Sequence, residues 1–367
     1  MSLRTRPDPR PLKVLVVKLS SLGDVVHTLP AVMDMQAAFP NAQIDWVVER
    51  GFAPLAARCQ AVHRVIPCEL RRWRKDPWSS TTRAEWRAFK ADVQQQAYDA
   101  VVDLQGLTKS ALVAWLARTT PGGKRYALAN RTEGSGYERP TRWVADVAVR
   151  VTPHIHAVDR ARVLCAQALG YAVPAHVTYG LGSADPHSQA NIHPWVVLVH
   201  GTSRADKEWP LAHWFELGQR LKQMGLDVAL PHGNEAERIR SLALAEMLPG
   251  AVVWPRLSLD DLTAEMALCV GVIGVDSGLS HIAVALDLPH VQIYNFDTAW
   301  RTGPVGLTRQ CALVDCPTPT VDAVWQAWQR CVATPPQLGP SASLAGGQSA
   351  NPGLQDAIQE SPWGQAP

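Results

Sequence analysis

The sequence lacks the two glycine-rich fingerprints with which many α/β proteins hold nucleotides. No G-x-G-x-x-G follows an apolar run, and no G-x-x-x-x-G-K-[ST] occurs in the 367 residues. Both fingerprints use backbone N–H groups to hold phosphates, so their absence argues against a standard NAD-binding or P-loop domain. A nucleotide held by a helix N-terminus and a lysine stays open.

Excess charge, paired cysteines and long apolar runs are also missing. The formal net charge is only +2, which argues against a basic nucleic-acid-binding protein and leaves any attraction for anions to local patches. The seven cysteines are odd in number and contain no C-x-x-C pair, as in a reduced, cytoplasmic protein without a zinc site. The first apolar run, residues 14–17, is too short for a signal peptide or a membrane span. We therefore expect a soluble, cytoplasmic protein that can still touch a membrane surface. We also expect a monomer, although none of these observations determines the oligomeric state.

Short apolar runs rich in β-branched residues alternate with helical patterns along most of the chain. Strands are predicted at residues 13–18, 44–48, 62–66, 100–104, 195–199, 227–231, 251–254, 270–274 and 290–294. Helices are predicted at residues 25–33, 52–59, 83–96, 107–118, 158–169, 211–224, 236–248, 259–268, 279–286 and 321–332. This alternation predicts parallel sheets covered by helices on both faces, that is, an α/β fold of two doubly wound, Rossmann-like domains.

Proline-rich and glycine-rich stretches divide this pattern. We predict a first domain at residues 12–170, a linker at 171–194 and a second domain at 195–333. Residues 119–140, rich in Gly, Thr and charge, are expected to form surface loops. Residues 334–367 contain six Pro, five Gly and no Lys or Arg, and we expect them to form a disordered tail.

Three polar clusters follow predicted strands: SSLGDVVH at residues 20–27, HGTSRADKEWP at 200–210 and DSGLSH at 276–281. In open α/β sheets, ligands bind beyond the carboxyl ends of the strands, where loops and helix N-termini gather. Two such domains facing a shared central cleft would place the Asp24 carboxylate opposite a phosphate site. The residues of that site would be Thr202, Ser203, Lys207, Ser277, Gly278 and His281.

Each of these assignments has a plainer alternative. Lys207 can bind phosphate or form a solvated loop pair with Asp206, and Asp24 can act as a base or cap a helix. Glu235 and Glu237 can accept hydrogen bonds from ribose or merely favour a helix N-terminus electrostatically.

Four cations surround one tryptophan at residues 71–75. This run is either a solvated face or a loop that attracts a phosphorylated or carboxylated acceptor, or an anionic membrane surface. A further strand end at residues 103–109 can contribute to the same patch. The candidate acceptor residues are Ser21, Gly23, Arg71, Arg72, Arg74, Lys75, Gln105 and Lys109, and Trp73 would act by packing or by stacking on a sugar.

Six separated motifs resemble the lipopolysaccharide heptosyltransferase I family, which belongs to the inverting, metal-independent glycosyltransferases of family 9 with the GT-B fold. They are residues 14–30 (VLVVKLSSLGDVVHTLP), 45–49 (DWVVE), 71–75 (RRWRK), 103–107 (DLQGL), 206–210 (DKEWP) and 275–281 (VDSGLSH). The likeness runs in matching order from about residue 12 to residue 332. It leaves out the segment after Thr334.

The resemblance implies transfer of a heptose from ADP-heptose to a Kdo sugar of Kdo–lipid A, at the cytoplasmic face of the inner membrane. It implies that Asp24 is the general base and Lys207 the phosphate-binding lysine. The implied nucleotide-sugar positions are Thr202, Ser203, Asp276, Ser277, Gly278 and His281, with Glu235 or Glu237 as the ribose-binding acid.

A single inverting displacement fits these residues, because one base takes the acceptor proton while a lysine and a helix N-terminus stabilise the departing ADP. The chain contains no D-x-D pair, in keeping with metal independence. Two alternatives remain, a transferase that adds the second heptose and a nucleotide-sugar-binding protein without turnover. The basic run at residues 71–75 favours the Kdo acceptor, which brings a carboxylate and lipid phosphates.

Overall fold

The computed structural model describes residues 10–181, 193–306 and 308–335. The chain divides into two compact units, one formed by the residues up to Ser20 with Thr28–Val173 and the other by Ser21–His27 with the residues from Pro174 onward. Each unit contains a six-stranded parallel sheet with helices between consecutive strands, which confirms the predicted pair of doubly wound α/β domains. Residues 182–192 of the predicted linker and 336–367 of the predicted tail lie outside the described residues.

The first sheet has the strand order β3-β2-β1-β4-β5-β6. Its strands are β1 (Lys13–Val17), β2 (Gln43–Glu49), β3 (Arg64–Cys68), β4 (Ala97–Asp103), β5 (Arg118–Leu128) and β6 (Val147–Val149). The first helix, α1 (Leu22–Val26), belongs to the second unit. The helices of the first unit are α2 (Leu29–Ala38), α3 (Ala53–Arg58), α4 (Leu70–Trp73), α5 (Ser80–Val93), α6 (Thr108–Leu116), α7 (Thr141–Val144) and α8 (Ala157–Leu169). The strand order reverses between β1 and β4, so the loops after these two strands meet at the switch point of the sheet.

Two predictions about this part of the chain were wrong. Part of the expected loop at residues 119–140 belongs to strand β5. Strand β5 pairs with β4 at Thr119 and again at Lys124, and a bulge that contains glycine lies between these two positions. Most of β5 is polar and partly exposed, so it lacks the apolar run that identifies a buried strand. The single helix expected at residues 25–33 is two helices, α1 and α2. Pro30 has no backbone N–H to continue a preceding helix, and it therefore lies in the first turn of a new one, α2.

The second sheet has the equivalent order β12-β11-β10-β7-β8-β9. Its strands are β7 (His193–Val199), β8 (Asp227–Leu230), β9 (Val252–Val253), β10 (Cys269–Val275), β11 (His290–Tyr294) and β12 (Gln310–Val314). The helices are α9 (Leu211–Gln223), α10 (Glu235–Met247), α11 (Leu259–Ala267), α12 (Gly278–Ala285), α13 (Ala299–Thr302) and α14 (Val321–Ala333). Here the order reverses between β7 and β10, so the loops that start at His200 and Asp276 share a switch point.

Each sheet is buried by its own helices. The core of the second unit includes the fully buried Trp214 and Trp328 together with Val196 and Ile273 of the central strands. Helix α14 presents Val324 and Trp328 to this core, as its amphipathic pattern predicts. Among the helices that the structure describes, none is long and apolar enough to span a membrane.

Candidate active site

The centre of the site in the second unit is Asp276, the first residue after β10. Its side chain is buried, and one carboxylate oxygen accepts a hydrogen bond from Lys207 Nζ at 2.5 Å. The other oxygen lies 3.4 Å from His281 Nε2. Burial alone would raise the pKa of Asp276, but hydrogen bonds and charge from His281 and Lys207 outweigh burial and hold this pKa well below its usual value. The carboxylate is therefore ionised and holds two donors in fixed positions.

Lys207 reaches this carboxylate from a short 3-10 turn, Ala205–Lys207, in the loop after β7. Asn295 Nδ2 donates to the carbonyl oxygens of Asp206 and Glu208, at 2.9 Å each, and so fixes the turn. The alternative in which Lys207 pairs with Asp206 is wrong, because Asp206 pairs with Arg204 instead. The buried Asp276 carboxylate therefore fixes the position of the Lys207 ammonium group, as the predicted role in phosphate binding requires.

The N-terminus of α12 lies next to this pair. Ser277 is the N-cap residue, and its buried Oγ has no hydrogen-bond partner among the described residues. A Cβ atom at Gly278 would lie 2.6 Å from Leu22 Cδ2, so the close approach of α12 to α1 requires glycine. Free amide groups at a helix N-terminus, a small N1 residue and an unpaired hydroxyl together form a site for an anion.

Helix α1 brings Asp24 to the same place. A Cβ atom at Gly23 would lie 2.6 Å from the His281 ring, and the His27 and His281 ring centroids are 4.3 Å apart. Ser21, not Asp24, is the N-cap residue of α1. The Ser21 backbone N–H and hydroxyl donate to Asp24 Oδ2 at 3.1 and 2.9 Å. The alternative in which Asp24 itself caps the helix is therefore corrected: Asp24 is the third residue of α1, and its carboxylate accepts hydrogen bonds from the N-cap residue.

The two candidate ribose acids differ in their surroundings. Glu235 pairs with Arg238 on its own helix at 2.7 Å and is exposed. Glu237 accepts a hydrogen bond from the Gly233 N–H at 2.7 Å, and its carboxyl group lies against Gly201, where a Cβ atom would be 2.7 Å from Glu237 Cδ. Only Glu237 thus faces the loop that also carries Thr202 and Ser203. Thr202 Oγ1 donates to the Asp276 carbonyl oxygen at 3.2 Å, which ties the two loops together.

The basic run of the first unit does not act as one patch. Arg72 is bound by Glu69 at 2.7 Å and by Glu85. Trp73 is buried, donates its indole N–H to Glu85 at 2.6 Å and packs against Trp86, so the sugar-stacking role proposed for it is wrong. Within the described residues, the other cations of the run, Arg71, Arg74 and Lys75, make no ion pair with an acidic side chain and are exposed.

Lys109 and Gln105, at the end of β4, lie close to the loop after β1. Gln105 Oε1 accepts hydrogen bonds from the backbone N–H groups of Leu19 and Ser20 at 3.0 and 3.1 Å, and Lys109 Nζ donates to Ser20 Oγ at 3.1 Å. Burial and then the positive charge of Arg71 lower the pKa of Lys109, while the nearby Glu49 carboxylate opposes this shift. Binding of an anion next to Lys109 would therefore stabilise the charged form of this lysine.

Sequence reasoning missed two polar side chains that support the site. Gln292, which is fully buried in β11, lies 3.5 Å from an Asp276 oxygen, and Asn295 holds the turn of Lys207. A lone glutamine within the apolar run of β11 is the signal that could have indicated the first of them. Across the described ranges, no group of three or more His, Cys, Asp or Glu side chains is placed to hold a metal ion.

Comparison with solved structures identifies the class of this fold. The E. coli heptosyltransferase WaaC with ADP superimposes with a TM-score of 0.78 at 34% identity, covering 87% of this chain and 100% of that chain. The same enzyme with ADP-2-deoxy-2-fluoro heptose gives a TM-score of 0.73 at 35% identity, covering 86% and 98%. The two doubly wound units are therefore those of a GT-B glycosyltransferase.

Sequence comparison then places the chain in a family. Residues 86–324 match the family model of glycosyltransferase family 9 (heptosyltransferase). Lipopolysaccharide heptosyltransferase 1 of Pseudomonas aeruginosa is 42% identical over 307 residues, covering 80% of this chain and 82% of that protein. The chain belongs to glycosyltransferase family 9, as its motifs predicted.

Proposed function

We propose that this enzyme transfers L-glycero-D-manno-heptose from ADP-heptose to a Kdo residue of Kdo–lipid A, with inversion at the anomeric carbon. The observation that carries this proposal is the group formed by Lys207, Asp276 and His281 at the N-terminus of α12, against which the Asp24-bearing helix α1 packs. A phosphate-binding centre and a carboxylate on neighbouring helices are what a direct glycosyl transfer needs.

The diphosphate of the donor is assigned to the α12 N-terminus and Lys207. The free amide groups at Gly278 and the Ser277 hydroxyl donate to phosphate oxygens, while Lys207 supplies the charge that a diphosphate attracts. Thr202 and Ser203 add hydroxyl groups from the facing loop. We assign the ribose hydroxyls to Glu237 and not to Glu235, because the Glu237 carboxyl group faces the same loop as Thr202.

In the proposed reaction, Asp24 takes the proton from the acceptor hydroxyl as its oxygen attacks the anomeric carbon. The bond between that carbon and the β-phosphate oxygen breaks on the opposite face, which inverts the configuration. Negative charge then grows on the departing ADP, where Lys207 and the α12 N-terminus stabilise it without solvent reorganisation. Asp276 acts through these groups as a positioning residue, because it fixes Lys207 and His281 before the donor binds.

The acceptor is assigned to the predicted first domain, residues 12–170, and the donor to the predicted second domain, residues 195–333. Arg71, Arg74 and Lys75, together with the partly buried Lys109, offer positive charge to the Kdo carboxylate and the lipid phosphates. Because the proposed acceptor has a lipid part, we propose that the enzyme binds peripherally at the cytoplasmic surface of the inner membrane. We propose separately that it acts as a monomer.

The test is release of ADP from ADP-heptose in the presence of Kdo–lipid A. We expect release to require both substrates and to persist in EDTA. Release with an acceptor that already carries one heptose, and none with Kdo–lipid A, would instead support transfer of the second heptose. Binding of ADP-heptose without release with either acceptor would support a binding protein without turnover.

A further inference from the structure

A groove of about 830 Å³ lies in the first unit, outside the residues assigned to chemistry. Helices α4, α5 and α6 form its walls, and its apolar lining comes from Leu70, Trp73, Trp86 and Leu112. The Trp73 and Trp86 rings meet edge to face at 5.8 Å, so the floor is held rigidly by the core below it. Its volume falls within the usual range for sites that bind small organic ligands, roughly 300–1,000 Å³.

The rim of this groove is positively charged. Arg74, Arg83, Arg87 and Lys109 line it, and none of its described lining residues is acidic. Two acids lie close to these residues: Glu85 on α5 is already bound by Arg72 and by the Trp73 indole, and Glu49, near Lys109, accepts a hydrogen bond from the Arg71 backbone N–H. A ligand with an apolar body and an anionic head is therefore complementary to the groove, whereas a neutral or basic ligand would leave the rim unpaired.

Apolar side chains continue from the groove to the surface. Leu112 is 41% exposed, and Trp115, one turn further along α6, is exposed as well. Trp78 is exposed next to Pro77, which also lines the groove. An apolar path that leads out of a cationic rim fits a long chain that enters from a lipid surface better than it fits a compact ligand.

We propose that this groove binds one acyl chain of the anionic glycolipid acceptor, with a phosphate of the lipid held by the cations of the rim. The inference rests on the proposed function, because that function makes the acceptor a phosphorylated lipid. The two sites are continuous, since Arg74 and Lys109 belong both to the rim and to the residues assigned to the acceptor. The groove thus recognises the lipid part of the acceptor.

A series of alkyl phosphates tests the groove without any sugar. Hexyl, octyl and decyl phosphate, used below their micelle concentrations, are titrated into the enzyme by calorimetry, with octanol and inorganic phosphate as references. Burial of each methylene strengthens binding by up to about fourfold, and we expect two- to fourfold per methylene in an open groove. A Kd that does not change with chain length would overturn the proposal, and so would equal binding of octanol and octyl phosphate.

The variant Leu112→Glu places a carboxylate in the groove beside the expected phosphate. We expect it to weaken binding of decyl phosphate by about tenfold or more. Leu242→Glu is the matched control, because Leu242 is a leucine of similar exposure, 42%, on α10 of the other unit. Equal affinities of the two variants for decyl phosphate would show that the alkyl chain does not bind in the groove.

Kinetics with two acceptors separate this inference from the proposed function. Kdo–lipid A and its fully deacylated form are compared at a fixed concentration of ADP-heptose. We expect Leu112→Glu to raise the KM for the acylated acceptor about tenfold more than the KM for the deacylated one. Equal effects on both would refute the acyl site while leaving the transfer reaction intact. Absence of ADP release with either acceptor, with chain-length-dependent binding of alkyl phosphates retained, would refute the proposed function and leave an anionic-lipid site.

Discussion

Replacement of Asp276 by asparagine is the sharpest test of the proposed donor site. The change keeps the size of the side chain but removes the negative charge that Lys207 and His281 share. The Lys207 side chain is 16% exposed and that of Asp276 is 6% exposed, so water replaces little of the lost interaction. The charge of Lys207 is thereby left without its partner in a mostly buried position.

The size of the effect follows from this burial. Removal of one partner from a buried ion pair costs roughly 3–5 kcal/mol, and the residual exposure of Lys207 places the expected loss near 3 kcal/mol. For a domain of 150–250 residues, this corresponds to a fall in melting temperature of about 6–12 °C. Asp322→Asn is the control, because its carboxylate is 74% exposed in its pair with Arg220 and its removal should cost at most about 1 kcal/mol.

The pH dependence has a definite sign. Because the folded-state pKa of Asp276 lies below the unfolded value of about 3.8, its stabilisation is fully present above that value and is lost as the pH falls toward the folded pKa. The difference in unfolding free energy between wild type and Asp276→Asn should be constant from about pH 6 to pH 8. At pH 3.5 it should be smaller by about 0.7 kcal/mol.

Urea unfolding at pH 7 and pH 3.5, followed in wild type and both variants, measures these differences. Affinity for ADP is measured in parallel, since the proposed role of Asp276 is to orient Lys207 toward the diphosphate. If Asp276→Asn destabilised the protein no more than Asp322→Asn, the buried carboxylate would not be the group that holds Lys207 and His281 in place. A pH-independent difference would also contradict an ionised Asp276 with a depressed pKa.

Three further predictions concern the base, the acceptor and the core. Asp24→Asn should lower turnover by roughly 10²–10⁴ with donor affinity nearly unchanged, and retention of half the wild-type rate would exclude a general base. Arg71→Ala/Arg74→Ala should raise the acceptor KM by a few-fold at about 50 mM salt and less at about 300 mM, whereas Arg72→Ala, bound to two glutamates, should change stability more than KM. Asp34→Asn removes the nearer carboxylate partner of the buried Arg162, whose other acidic neighbour, Asp159, lies at 3.8 Å, and should destabilise the fold by about 3 kcal/mol without a specific effect on KM; a loss below about 1 kcal/mol in urea unfolding would contradict this.

The doubly wound fold could be predicted because its signals are local. Central strands such as β1 and β10 are buried on both faces, so each is a continuous apolar run that stands out against the helices on either side. The positions of the site loops followed from the same signal, because polar residues directly after such strands must lie at the carboxyl edge of the sheet. The end of β1 thus indicated Asp24, and the end of β10 indicated Asp276.

What could not be predicted was the pairing of charges. Lys207 and Asp276 are 69 residues apart, and no local pattern decides whether the lysine pairs with Asp206 or with Asp276. The same limit applies to the run at residues 71–75. In α4 the Trp73 side chain is buried in the core and Arg72 pairs with glutamates, whereas Arg71, Arg74 and Lys75 are exposed. Strand β5 was missed for a different reason, because a polar strand with a bulge has no apolar period.

These contacts make Asp276, and not Lys207, the residue on which the proposed site depends most. Lys207 contributes one interaction to one ligand group, whereas the Asp276 carboxylate contacts side chains from the loop after β7, from α12 and from β11. Through His281, which touches Gly23 and the His27 ring, it also fixes the helix that carries the proposed base. A single buried charge at the switch point therefore fixes both Lys207, the proposed phosphate ligand, and the helix that carries Asp24. In the proposed site this accounts for a carboxylate next to an anionic ligand, because the negative charge of Asp276 orients the groups that would bind the anion.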